Sequence, residues 1–232
     1  MADDELPTVS VILPVKNGAQ YLEESLRSVV GQVYRPLEIL VFDHGSIEAT
    51  PEIANSFCGV RYFRTDPELS IAASRNIGVG IAGGELIAFA SEDDLWAPEK
   101  LWIQAERFQR DPELQFCLAH VRYFLDGEGT SVPPGFPAEL IERDLPGRLR
   151  ETLVARRSTF ERVGRFDESL RLADGADWLS RAQDLVAPWT MLGETLVLKR
   201  IPGGSTTYRD ERCARAQEEM LEMARTIEPS WN

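Results

Sequence analysis

Three short, mainly apolar runs and one further strand-like segment, which alternate with helix-patterned segments, constrain the fold of this chain more than any other feature. The apolar runs span residues 9–13, 37–42 and 86–90, and the further strand spans 60–64. Strands that are apolar throughout are buried on both faces, and their alternation with helices is typical of parallel sheets. The sequence therefore predicts an α/β fold with a mostly parallel central sheet and helices on both of its faces.

Three of these runs are followed by Pro14, by Asp43 and by the acidic triplet Glu92-Asp93-Asp94. The carboxyl ends of parallel strands meet at one edge of a sheet, where ligands bind. Neighbouring carboxylates repel each other unless a cation or hydrogen-bond donors compensate. A hard metal, Mg²⁺ or Mn²⁺, that carries a phosphate group is therefore expected at Asp93 and Asp94, and which of them ligates it stays open. The alternative is a polar turn with a helix-capping residue.

The second half of the chain has a less regular pattern. Helices are predicted at 98–108, 158–163 and 177–185, and strands at 115–125, 152–156 and 190–201, the last one bent or split into a pair. Residues 126–147 are rich in glycine and proline and are predicted to form a long loop, either disordered or functional. Apolar residues at helical spacing predict a C-terminal helix over about 208–232.

Composition excludes several classes of function. The formal net charge of −13 disfavours general binding of nucleic acids or membrane surfaces. No apolar run approaches the length of a membrane span, and the acidic start of the chain is unlike a signal peptide. Three scattered cysteines and two histidines fit buried thiols in a reducing compartment rather than a zinc site. A cytoplasmic protein is expected.

Six segments, taken in order, resemble the motifs of the family 2 glycosyltransferases, which have the Rossmann-like GT-A fold. They are Val9–Asn17, Tyr21–Val29, Asp43-His44-Gly45-Ser46, Ala73–Gly78, Ser91–Trp96 and Gly164–Leu170. The resemblance implies a single domain over 1–232, with a nucleotide-sugar-binding half at about 8–96. A smaller, mixed acceptor-side half follows at about 97–207, before the C-terminal helix.

The resemblance implies inverting transfer of a sugar from a nucleoside diphosphate donor, commonly a UDP-sugar, to an unknown acceptor hydroxyl. Asp43 would hold the nucleotide base, Pro14, Val15 and Lys16 would border the same pocket, and Arg75 would lie near the uracil or the phosphates. Asp93 would contact the nucleotide through the metal, which bridges the diphosphate. A carboxylate would remove the proton of the acceptor hydroxyl.

Each of these residues also has a plainer interpretation. Asp43 would then cap a turn, and Arg75 would form a surface ion pair with Glu68 or Asp66. His44 is expected at the pocket edge or on the surface. Trp96 and Trp178 are candidates for packing against a sugar, with core packing as the alternative.

Four departures from the family pattern bear on activity. Ser91 stands where the metal motif begins with Asp, His44 replaces the second Asp of its turn, and Pro202 replaces a histidine. In the simplest register Gly175 falls on the position of the base. A shift of one residue would make Asp174 the base, and Asp177 is a second candidate.

These departures leave three hypotheses: an active metal-dependent transferase, a nucleotide-sugar-binding module without catalysis, and a protein-interaction scaffold. The presence of Asp43, Arg75, Asp93 and Asp94 favours the first two. The placement of Asp174 discriminates between them, because a base must reach the cleft.

Overall fold

The structure, a computed structural model, describes residues 6–127, 131–132, 136–170, 173–186 and 188–201. Its strands are β1 (Val9–Val15), β2 (Leu37–Asp43), β3 (Val60–Arg64), β4 (Leu86–Phe89), β5 (Leu95–Trp96), β6 (Phe116–Leu125), β7 (Asp144–Pro146), β8 (Val154–Arg156) and β9 (Trp189–Ile201). Its α-helices are α1 (Leu22–Val30), α2 (Thr50–Ser56), α3 (Ile71–Ile81), α4 (Lys100–Arg110), α5 (Arg157–Val163) and α6 (Asp174–Leu185). The predicted C-terminal helix and Pro202 lie outside the described residues.

The described strands form one sheet in the order β3-β2-β1-β4-β8-β6-β9-β5, and β7 pairs with β6. In the first half, β1 lies parallel to β2 and β4, and β2 lies parallel to β3. The carboxyl ends of β1, β2 and β4 therefore meet at one edge, as predicted. In the second half, β8 runs antiparallel to both β4 and β6, whereas β9 runs parallel to β6. The sheet is accordingly mixed on this side, which confirms the predicted α/β class.

Two apolar clusters cover the two faces of the sheet, because successive side chains of a strand point in opposite directions. Val11 and Leu13 of β1 belong to the cluster that includes α1 and α4. Ile12 belongs to the cluster that includes α3, α5 and α6. A Cβ atom at Gly78 would lie 2.7 Å from Cγ2 of Ile12. Glycine thus allows α3 to pack closely on β1, and this packing places the start of α3 beside the end of β1.

The structure differs from the prediction in several places, mostly by one or two residues at the ends of elements. Part of the predicted 126–147 loop forms β7, and β5 is an unpredicted two-residue strand against β9. Both depend on pairing with distant strands, which leaves little local signal in such short segments. Helix α6 begins at Asp174 rather than Asp177, so that Asp174 and Gly175 lie in its first turn.

Two features, the lengths of the helices and the state of the cysteines, bear on where the protein could function. No helix among the described residues combines the length and the apolar composition needed to cross a membrane. Cys58 is exposed and Cys117 is buried, and both are free thiols. Cys213 lies outside the described residues.

Candidate functional site

A cavity of about 130 Å³ opens at the edge where β1 and β4 end. It is lined by Pro14, Val15, Lys16, Ile71, Arg75, Ala90, Ser91 and Glu92. Four predicted nucleotide-binding residues, Pro14, Val15, Lys16 and Arg75, thus line one cavity. They come from the end of β1 and the first turns of α3, and the cavity adjoins the acidic turn after β4. Its volume suits a ring-sized part of a ligand, so a longer ligand would extend past the acidic turn.

Asp43 is buried at the end of β2, and protein donors hold its carboxylate in place. Oδ1 accepts hydrogen bonds from the backbone N–H and the hydroxyl of Ser46 at 2.8 and 2.6 Å, and Oδ2 accepts one from the hydroxyl of Tyr62 at 2.6 Å. Burial opposes ionisation, but these hydrogen bonds lower the pKa of Asp43. The carboxylate therefore caps its turn and is also a fixed acceptor with lone pairs to spare.

His44 is buried, with 2% of its surface exposed, so the expectation of a surface position was wrong, whereas the alternative of a pocket-edge position stays a prediction. Burial lowers the pKa of His44, which favours the neutral ring. Its Nε2 atom has no hydrogen-bond partner in the described part of the chain. A histidine in a predicted turn is expected to face solvent. Here the backbone N–H of His44 donates to the backbone oxygen of Val15, and this contact keeps the residue in the interior.

The acidic turn after β4 separates Asp93 from Asp94. Asp94 is buried, and its carboxylate accepts from the Lys199 ammonium at 2.8 Å and from the backbone N–H of Arg200 at 3.1 Å. Asp93 is partly exposed, and its Oδ1 accepts from the Ser91 hydroxyl at 2.5 Å. Asp93 thus keeps an oxygen for a cation, whereas both oxygens of Asp94 accept hydrogen bonds from protein donors. The geometry favours Asp93 over Asp94 as a metal ligand.

The carboxylates of the acidic turn after β4 could bind a metal cation together with a substrate. Burial and the neighbouring Asp93 raise the pKa of Glu92 to about 7. Among the described residues, no group of three or more His, Cys, Asp or Glu side chains has the geometry to hold a metal by itself. Mg²⁺ is commonly held by only one or two carboxylates together with substrate phosphates and water. The residues fit a metal of that kind, with Asp93 as its ligand.

Arg200, at the end of β9, ties the acidic turn to α1 and β6. Its guanidinium lies 4.5 and 4.8 Å from the ring centres of Tyr21 and Phe124. It donates to the backbone oxygen of Asp93 at 3.0 Å and to Asp126 at 2.5 Å, and it also bonds the carboxylate of Glu24. Sequence reasoning gave Arg200 and Lys199 no role. Their signals were two adjacent cations after apolar strand residues and, for Arg200, its place at the start of the segment in which Pro202 replaces a histidine.

A buried ion pair joins the two halves of the chain. Arg75 of α3 bonds the carboxylate of Asp174, and the two side chains are 6% and 2% exposed. Burial and the nearby Arg150 lower the pKa of Arg75 to about 10, although Asp174 opposes this. The predicted surface pairs of Arg75 with Glu68 or Asp66 are absent from the described ion pairs. The Nε atom of Arg75 has no hydrogen-bond partner among the described residues, which leaves one N–H donor beside the cavity.

Two further residues missed by sequence reasoning extend this pair into a network. Arg150 lies 4.0 Å from Asp174 and 3.1 Å from Glu151, and Glu151 lies 3.8 Å from the ammonium of Lys199. Burial opposes the charge on Lys199, but the carboxylates of Asp94 and Glu151 raise its pKa. Alternating charges therefore run from the cavity through the start of α6 to the acidic turn.

The remaining predicted residues have structural partners. Asp177 is ion paired at 2.7 Å with Arg181. Arg181 also donates to the backbone oxygens of Val163 and Arg165, so this pair anchors α6 to the preceding loop. Trp178 is fully buried in the core and Trp96 is 4% exposed, which supports core packing for both rather than contact with a sugar.

The sequence model of the family described as Glycosyl transferase family 2 matches residues 10–168. An uncharacterized glycosyltransferase of Rickettsia felis is 31% identical over 219 residues, which cover 87% of this chain and 34% of that protein. The chain thus spans about a third of the length of that relative.

Two solved structures share the fold. S. aureus TarS 1-349 in complex with UDP-GlcNAc has a TM-score of 0.72 at 18% identity, covering 93% of this chain and 66% of that one. Mannosyltransferase PcManGT from Pyrobaculum calidifontis, in complex with GDP-Man and Mn²⁺, has a TM-score of 0.69 at 18% identity, covering 94% and 65%. These likenesses confirm the expected GT-A architecture.

Proposed function

Because this chain belongs to the glycosyl transferase family 2, we propose that it transfers a sugar, with inversion, from a nucleoside diphosphate sugar to an acceptor oxygen. The observation that carries this proposal is the cavity lined by Pro14, Val15, Lys16 and Arg75 beside the acidic turn. It combines a ring-sized pocket with cations and with a carboxylate suited to a metal. These are the features that a base, a diphosphate and its counter-ion require.

The donor in this proposal is a UDP-sugar. Asp43 is the strand partner of Val15, which lines the cavity, and it is an ionised acceptor held by Ser46 and Tyr62, which suits the N–H of a uracil ring. A guanine base also presents an N–H, and related folds have been seen with UDP-GlcNAc and with GDP-Man. Titration with both nucleotides separates these donors.

The diphosphate would lie between the cavity and the acidic turn. Lys16 is exposed at the cavity rim, and Arg75 has an unpartnered Nε. Asp93 would hold Mg²⁺ or Mn²⁺, and when bound such an ion neutralises the diphosphate and stabilises it as a leaving group. Asp94 and Arg200 would position Asp93, because they fix the backbone of the turn.

For a hydroxyl acceptor, Asp174 would serve as the base better than Asp177. Asp174 lies next to Arg75, which lines the cavity, whereas Asp177 is bound to Arg181 and anchors α6 to the preceding loop. Each carboxylate is nevertheless engaged by an arginine. This engagement favours one alternative function, a nucleotide-sugar-binding module that does not catalyse transfer.

Calorimetric titration with UDP, GDP and their sugar derivatives, in Mn²⁺ and then in chelator, tests the donor site. We expect metal-dependent binding of a uridine nucleotide. Release of UDP from the bound donor, measured with time, then separates an enzyme from a binding module. A folded protein that binds none of these nucleotides would contradict the proposal.

A further inference from the structure

At the start of α6, Gly175 faces the guanidinium of Arg150, which belongs to a short 3-10 turn at Arg150–Thr152. A Cβ atom at Gly175 would lie 3.4 Å from both Cδ and Nη1 of Arg150. The side-chain position at residue 175 therefore points at this guanidinium. Gly175 leaves the position empty, and 27% of the Arg150 side chain is exposed.

Arg150 also lies close to the acidic turn. Burial opposes its charge, but the carboxylates of Glu151, Asp174, Asp94 and Glu92 raise the pKa of Arg150. It is thus a permanent cation beside the first turn of α6. Among the described residues its closest carboxylate contact is to Glu151 at 3.1 Å, since Asp174 is 4.0 Å away. A guanidinium has five N–H donors, so several remain for a ligand.

The neighbouring carboxylates are poorly placed to accept a proton. Asp174 is buried against Arg75. If it were protonated, it would leave a buried guanidinium without its counter-charge, which is costly. Asp177 is held by Arg181, which is itself bound to two backbone oxygens. A hydroxyl acceptor needs a base to remove its proton as it attacks, whereas an acceptor that is already an anion does not.

We infer that the acceptor is a phosphate monoester, whose oxygens are bound by Arg150 at the part of its guanidinium that no side chain at residue 175 covers. This inference rests on the proposed function and names the acceptor of that same site. Arginine binds phosphate with two parallel hydrogen bonds, which would also orient the attacking oxygen.

The reaction balances without a protein base. An ionised phosphate oxygen forms a bond to the anomeric carbon of the donor. The bond from that carbon to the β-phosphate oxygen breaks, and the nucleoside diphosphate leaves with the electron pair. The product is a glycosyl phosphodiester, and no proton is transferred.

A carboxylate introduced at residue 175 should slow transfer if the acceptor is a phosphate and should speed transfer if the acceptor is an alcohol. Gly175→Asp places a carboxylate against Arg150, with Gly175→Asn as the neutral control of nearly equal size. The assay contains wild-type protein, Mg²⁺ and the donor that calorimetry identifies. The acceptors tested are decyl phosphate, glycerol 3-phosphate, decanol and glycerol. Products are identified by mass spectrometry.

We expect wild-type protein to glycosylate a phosphate at least 100-fold faster than the matching alcohol. Gly175→Asp should lower that rate at least tenfold more than Gly175→Asn, while donor binding is unchanged. Preference for decyl phosphate or for glycerol 3-phosphate distinguishes a lipid from a soluble acceptor. Transfer to an alcohol that rises in Gly175→Asp would overturn the inference.

Binding provides a second measurement in case turnover is slow. Decyl phosphate is titrated into the protein saturated with UDP and Mg²⁺, and Arg150→Gln and Gly175→Asp should each weaken its binding at least tenfold. Absence of both turnover and binding of decyl phosphate in wild-type protein that binds UDP also overturns the inference. Failure to bind any nucleotide would instead refute the proposed function itself.

Discussion

Asp93 and Asp94 show how adjacent residues of one turn take different roles. Asp94 is 1% exposed and neutralises Lys199, whereas Asp93 is partly exposed and its carboxylate bonds only the neighbouring Ser91 among the described residues. The sequence shows two equivalent acids after an apolar strand. The difference arises because β5 and β9 pair and bring Lys199 to one side of the turn.

This difference predicts opposite phenotypes for two matched substitutions. Asp93→Asn should weaken UDP binding at least tenfold in Mn²⁺ and leave it unchanged in chelator. Its free energy of unfolding should stay within about 0.5 kcal/mol of wild type. Asp94→Asn should instead lower that free energy by about 2 kcal/mol or more, because it removes the closer of the two carboxylates that neutralise Lys199.

Calorimetry and urea unfolding of the two variants make this comparison. Glu23→Gln is a suitable control, since Glu23 is an exposed acid on α1 that pairs only with exposed Arg27 in the described structure. Loss of the metal response in Asp94→Asn alone would reverse the assignment of the ligand.

At the level of secondary structure elements, α4 carries an unusual charge into the core. The Lys100 ammonium is fully buried, lies 4.1 Å from the ring centre of Trp96 and donates to Gln104 at 2.7 Å. Burial lowers the pKa of Lys100 to about 7, against smaller opposing effects of Cys117 and Glu151. Lys100 shares the buried face of α4 with Leu101 and Gln104, although an amphipathic pattern would predict that a lysine faces solvent.

The buried lysine predicts a specific pH dependence of stability. An unfolded lysine has a pKa near 10.4, so between about pH 7 and pH 10 the unfolded chain binds the extra proton. Stability therefore rises with pH in this window, and below about pH 7 the full cost of the buried charge is present. From pH 6.5 to 9.5, the free energy of unfolding of wild type should rise by about 3 kcal/mol more than that of Lys100→Met.

Urea unfolding at several pH values measures this difference. Lys16→Met serves as the control, because Lys16 is exposed, and it should follow the wild-type curve. Parallel curves for wild type and Lys100→Met would show that Lys100 keeps an ordinary pKa in the folded protein.

The elements that the sequence predicted well are those whose signal is local. The strands β1 to β4 are apolar through most of their length, and Ser70 caps α3 with its hydroxyl. The start of α6 was predicted too late, because Asp174-Gly175 reads as a turn when its tertiary partners are unknown. Arg75 and Arg150 supply those partners from segments distant in the chain.

At the level of the whole molecule, the candidate site was predictable on one side and not on the other. The residues of the cavity follow their own strands directly, so strand ends alone bring them together. Lys199, Glu151 and Arg150 come from the mixed side of the sheet. Their positions depend on strands β5, β8 and β9 crossing in an order that hydrophobic patterns do not encode. Sequence therefore indicated the residues of the cavity and left those on the mixed side of the sheet undetermined.

The Arg75–Asp174 pair joins these two sides, and a double-mutant cycle measures how far it couples them. Each partner is buried, so Arg75→Met or Asp174→Asn alone should lower the free energy of unfolding by about 3 kcal/mol. The double variant removes both charges and should cost about 2 kcal/mol less than the sum of the two single effects.

Asp177→Asn with Arg181→Met forms the matched control cycle, because that pair is about a third exposed and lies within one helix. Its coupling should be about 0.5 kcal/mol. Equal coupling in both cycles would show that the two halves are held together by apolar packing alone. A larger coupling for Arg75 and Asp174 would show that the cavity and the start of α6 share one electrostatic link.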